Sequence, residues 1–133
     1  MNESKATRRE YHQLSGFEEF YFEDSYVLGI NTLPETVEII LSAVLTERHP
    51  LYSAPLPDEQ YCYRRIRIVF PEAKTISWVD KFMFPYTDAN GEVDFGNIDE
   101  FCELDGHYLL AGDWGKLDIV SSEPVAEILE RES

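Results

Sequence analysis

Thr36-Val37-Glu38-Ile39-Ile40-Leu41-Ser42-Ala43-Val44-Leu45-Thr46 decides the fold class of this chain. Val37, Ile39, Leu41, Ala43 and Leu45 form a wholly apolar set. Glu38, Ile40, Ser42, Val44 and Thr46 form a mixed one, and this period of two is what a strand with one buried face requires. The period alone leaves a helix open. The β-branched content (Thr36, Val37, Ile39, Ile40, Val44, Thr46) argues against it, because such side chains lose rotamer freedom against a helical turn.

The same reading extends in both directions. Ser25 to Thr32 is β-rich and ends at the turn Leu33-Pro34-Glu35. His49 to Glu59 holds three prolines and reads as a loop. Gln60 to Phe70 is a strand with Cys62, Ile66, Ile68 and Phe70 on one side and Tyr61, Tyr63, Arg65, Arg67 and Val69 on the other. A strand over Thr75–Phe84, a turn at Asp88-Ala89-Asn90-Gly91 and a weaker strand or turn pattern over Val93–Phe101 follow. His107–Ala111 and Lys116–Ser122 flank Gly112-Asp113-Trp114-Gly115 as a hairpin, and Pro124–Leu129 reads as a short helix or an edge strand. Near the start, Tyr11, Leu14, Phe17 (or Phe20) and Tyr21 recur at spacings of three and four, predicting a short helix within Tyr11–Phe22, interrupted at Ser15-Gly16. Residues 1–10 read as a mobile tail. The expectation is a mainly β (β-rich α+β) chain in which residues 11–133 form one antiparallel β-sandwich or barrel-like domain of about seven or eight strands with a short N-terminal helix.

With 133 residues, 44% hydrophobic and 14% aromatic, the chain can build one core without staples. Its apolar runs are far shorter than the roughly 20 residues needed to span a bilayer. Lys5, Arg8 and Arg9 precede no apolar stretch, so no secretory signal is expected and a cytoplasmic location is the default. Cys62 and Cys102, among apolar neighbours, read as buried thiols. The formal charge of −15 is uneven: residues 1–70 carry a net −4 and residues 71–133 a net −11. Such a field repels nucleic-acid backbones and anionic lipid and attracts a basic protein.

Catalytic constellations are missing from the sequence. His12, His49 and His107 show no metal-ligand spacing, and neither a G-x-S-x-G elbow nor a phosphate-binding glycine loop occurs. Cys102 lies between Glu100 and Glu103, which disfavours a thiolate; Cys62, with Arg64 two residues on, is the better of two weak nucleophiles.

Two segments suggest ligands. In Tyr86–Asn97, the residues Asp88, Asn90, Gly91, Val93 and Asp94 fall in the register of an EF-hand calcium loop, but Tyr86 and Asn97 stand where the first and last ligands belong. A weaker calcium site on Asp88, Asn90, Glu92 and Asp94 is the alternative reading, set against a solvated turn. Tyr61, Tyr63, Arg65 and Arg67 share one strand face that suits an anion or an aromatic ligand, or that pairs with carboxylates on neighbouring strands. Trp78 and Trp114 each read as an interface anchor or, more commonly, as a lid over the core.

Through Phe22-Glu23-Asp24-Ser25-Tyr26-Val27-Leu28-Gly29-Ile30, the aspartate-rich turn running to Ile98-Asp99, and Leu110-Ala111-Gly112-Asp113-Trp114-Gly115, the chain resembles small acidic bacterial proteins that include immunity proteins of toxin systems. The resemblance implies a binder whose acidic surface plugs the basic active site of a toxin, and it supplies no site residue. The combined expectation is a non-enzymatic interaction domain. It meets a basic protein partner through its acidic C-terminal half, with Glu92, Asp94, Asp99, Glu103 and Trp114 facing that partner.

Overall fold

The computed structural model describes residues 7–81, 83–87 and 91–129. Alternating burial, the signature that decided the fold class, runs through strands on both sides of the core. There are eleven strands among the described residues: β1 (Arg9–Glu10), β2 (Phe20–Leu33), β3 (Thr36–Leu45), β4 (Cys62–Pro71), β5 (Thr75–Lys81), β6 (Tyr86–Thr87), β7 (Val93–Asp94), β8 (Ile98–Leu104), β9 (His107–Gly112), β10 (Gly115–Val120) and β11 (Val125–Ile128). They form a five-stranded sheet in the order β1-β8-β9-β10-β5, a four-stranded sheet in the order β11-β4-β3-β2, and the two-stranded ribbon β6-β7. All pairings are antiparallel, and neither large sheet closes into a barrel.

β3 behaves as its sequence dictates. Val37, Ile39, Leu41, Ala43 and Leu45 are buried and pair with Phe70, Ile68, Ile66, Arg64 and Cys62 of β4. The two large sheets meet through one aromatic core, in which Phe70 of β4 lies 6.0 Å from Phe101 of β8 and 5.6 Å from Tyr108 of β9 between ring centroids. β9 and β10 form the expected hairpin, and β11 is the edge strand of the β4 sheet.

Three expectations need correction. No helix forms over Tyr11–Phe22: a single 3₁₀ turn, Tyr11–Gln13, is followed by irregular chain and then by β2. The apolar spacing arises because Tyr11, Leu14 and Phe17 enter the core from turns, while Phe20 and Phe22 enter it as alternate residues of a strand. Gly16, at φ +89°, takes a left-handed conformation that ends any helical run. The expected tail also stops short of residue 10, since Arg9 and Glu10 pair with Glu103 and Cys102 of β8. The third concerns Trp114, expected on a partner-facing surface, which is wholly buried in the core of the chain.

Both cysteines are buried and free. Among the described residues, no helix is long and apolar enough to cross a membrane.

Candidate functional site

β2 departs from regular pairing where it matters most. Tyr21 pairs with Val44 and Tyr26 with Ser42, so four residues, Phe22 to Ser25, stand against Ala43 alone. Ser25 fills the broken ladder: its buried hydroxyl donates to the Tyr21 carbonyl at 2.7 Å and accepts the Val44 N–H at 2.9 Å. The bulge sends Phe22 into the core and leaves Glu23 exposed and Asp24 half-buried.

These two carboxylates form one wall of a cleft of about 420 Å³, whose other lining residues are Tyr26, Tyr86, Asp94, Gly96, Asn97 and Asp113. Each wall is fixed by a specific contact. The hydroxyl of Tyr11 donates to Glu23 Oε1 at 2.8 Å, and its burial raises its pKa, which keeps it a donor. Hydrogen bonding with Asp24 raises the pKa of Tyr61 in turn. Asp94 accepts the Gly96 N–H at 2.8 Å. The Asn97 amide donates both to the Glu23 carbonyl at 3.0 Å and to Asp99 Oδ1 at 2.8 Å. Gly96, at φ +101°, packs so tightly under Asp113 that a Cβ there would lie 2.6 Å from the Asp113 Cβ. Among the described residues, four carboxylates, two exposed tyrosines and no cationic side chain therefore line the opening.

Of the residues expected to face a partner, Asp94 lies in the cleft and Asp99 at its margin, held by Asn97. Glu92 is exposed beside β7. Glu103 sits near the far end of β8, where it binds Arg9 at 2.8 Å and accepts the Gly106 N–H at 3.0 Å, so it belongs to the β1–β8 junction. Glu23, Asp24, Tyr26, Tyr86, Asn97 and Asp113 complete the cleft without having been singled out from the sequence as site residues.

Tyr61 and Tyr63 of the expected ligand face adjoin the cleft through Tyr26. Tyr63 stacks on Tyr26 with centroids 6.0 Å apart and meets Tyr61 edge-on at 6.2 Å. Burial, then Tyr26, raises the pKa of Tyr63. Arg67 on the same face is engaged with Glu127 of the neighbouring strand at 2.9 Å, and Arg65 also has an interaction partner. Beyond Tyr61 a second cavity of about 390 Å³ lies under the proline-rich loop, lined by Tyr21, Tyr52, Pro55 and Cys62 among others. The Cys62 sulfur there accepts from the Ser53 N–H at 3.5 Å and from Arg64 at 3.6 Å, while Arg64 also holds the Leu51 carbonyl. Arg64 thus ties the loop down. Burial pushes the Cys102 thiol upward, against the pull of Arg8.

Asp88 and Asn90 of the calcium reading lie outside the described residues. Among the described residues, no three His, Cys, Asp or Glu side chains are grouped so that they could hold a metal ion. Neither a protein-family model, nor a curated protein, nor a solved structure matches the chain.

Proposed function

We propose that this chain is a non-enzymatic interaction domain, built as a β-sandwich, that captures a basic protein partner in the manner of a toxin-immunity protein. The cleft carries this reading. Glu23, Asp24, Asp94 and Asp113 surround an opening flanked by Tyr26 and Tyr86, a composition suited to a lysine or arginine side chain: carboxylates supply charge-assisted hydrogen bonds and ring faces supply cation–π attraction. The net charge of −15 adds a long-range field that speeds encounter with a cationic surface.

Affinity capture from a lysate of the source organism, at low and at high salt, tests the reading. A basic protein retained at low salt and released at high salt is the expected result, and the double variant Asp24→Lys, Asp94→Lys loses it. Equal capture by wild type and variant overturns the cleft as the binding site.

A further inference from the structure

We infer that the free half of β2, Leu28–Leu33, pairs with the same segment of a second copy of this chain. β2 ends its sheet. Its outer edge is covered at Val27, whose N–H donates to the Gly96 carbonyl and whose carbonyl accepts the Phe95 N–H, both at 2.8 Å. Beyond that point, among the described residues, no backbone group bonds to the outer edge of Leu28–Leu33.

The register identifies the groups left facing outward. Val27 pairs with Leu41 of β3 and turns its backbone groups away from it. Leu28 is a one-residue bulge, after which Ile30 pairs with Ile39 and Thr32 with Val37. Ile39 and Val37 share the parity of Leu41, so the N–H and C=O of Ile30 and Thr32 point outward as those of Val27 do. Gly29 adds no obstruction, since a Cβ there would meet nothing within 4 Å.

Exposed edges are ordinarily protected by charged residues, proline or a covering element. Among the described residues, this one has none of these within Leu28–Leu33. Ser25–Pro34 is the longest stretch of the sequence without a charged side chain. That neutrality selects the occupant. Two copies carrying −15 each repel across most of their surfaces, whereas this edge brings no charged side chains of its own together; a basic partner, by contrast, is drawn to the carboxylates elsewhere. Antiparallel pairing about a two-fold axis at Asn31 sets Ile30 opposite the partner's Thr32 and Thr32 opposite the partner's Ile30. Each such pair exchanges both of its N–H···O bonds, and the two four-stranded sheets become one continuous sheet.

A contact confined to one strand edge buries little surface, so the dimer is weak and shows at high concentration. Its salt dependence is opposite to that of capturing a basic partner: screening the mutual repulsion strengthens it. Sedimentation velocity from about 10 μM to about 1 mM protein, at low and high salt, measures it. The expected result is a weight-average mass that rises toward twice the chain mass, and rises further at high salt. Thr32→Pro removes an outward N–H without touching the β3 ladder, and Asn31→Asp sets like charges opposite each other at the axis. Both remain monomeric throughout. A wild type of single-chain mass at the highest concentration in high salt overturns the proposal, as does either folded variant dimerising like the wild type.

Discussion

The indole Nε1 of Trp114 donates to the carbonyl oxygen of Asn97 at 3.0 Å, and both atoms crowd the space where a side chain of Gly112 would begin. Trp114 is wholly buried, and this bond satisfies its one polar group. Asn97 in turn holds Asp99 and the backbone of Glu23. A core tryptophan therefore anchors the segment that shapes the acidic cleft.

Gly112→Ala is expected to be severe. Its Cβ would lie 2.0 Å from the Asn97 oxygen and 2.6 Å from Trp114 Nε1, so backbone must move. A loss of about 3 kcal/mol or more in chemical denaturation is expected. Gly29→Ala, with open space around it, should change stability by less than about 1 kcal/mol. Similar midpoints for the two variants would contradict this account.

Trp114→Phe keeps an aromatic ring but removes the indole N–H and part of the ring volume. The Asn97 carbonyl loses its donor and the edge-on contact with Trp78, at 6.1 Å, is altered. The cost should be about 2–3 kcal/mol. Because Asn97 is released, amide chemical shifts of Gly96 and Ile98 should move with the loss of stability, and their constancy would argue against the link to the cleft.

Glu103 makes stability depend on acid. Burial opposes its ionisation, yet the Arg9 guanidinium and the Gly106 N–H outweigh that and hold its pKa below the ordinary 4.5. A depressed folded value means the contribution is fully present above the unfolded pKa and is lost as pH falls through the folded one. Glu103→Gln should thus cost about 0.5–1 kcal/mol at neutral pH, the scale of a partly exposed ion pair, and the gap to wild type should close below about pH 4.5. A gap independent of pH would remove the ion pair from consideration.

His49 gives a second titration in a different window. Its Nδ1 accepts the Leu51 N–H at 3.0 Å, its ring packs 5.1 Å from Phe20, and burial lowers its pKa from the ordinary 6.5. The neutral ring is the bonded form. Its contribution is present above 6.5 and lost as pH falls through the lower folded value. Hydrogen-exchange protection of the Leu51 amide, corrected for intrinsic rate, should decline over that range; protection that persists well below it would refute the assignment.

Much of the fold was legible where a strand has one dry face. Val37 to Ala43 and Ile66 to Phe70 alternate without interruption, and each alternate residue is buried; only at Val44, buried between Ala43 and Leu45, does the period of two break. The misread helix at Tyr11–Phe22 shows the limit, because spacings of three and four also arise when core residues hang from successive turns. The cleft was legible only in sign. The charge imbalance led to Asp94 and Asp99, but Glu23 and Asp24 lie in the less acidic half, some seventy residues away in sequence, and only pairing around a bulge brings them together. Spacing carries no trace of such a contact.

The bulge at Phe22–Ser25 separates two demands that a regular strand would fuse. Ser25 restores the hydrogen bonds of Tyr21 and Val44, so the sheet is whole without any contribution from the side chains of Glu23 and Asp24. Those two side chains are left for contacts outside the ladder: Glu23 receives the Tyr11 hydroxyl and Asp24 is hydrogen-bonded with Tyr61. Sheet pairing and the charge of the cleft wall are thereby assigned to different residues of one four-residue bulge.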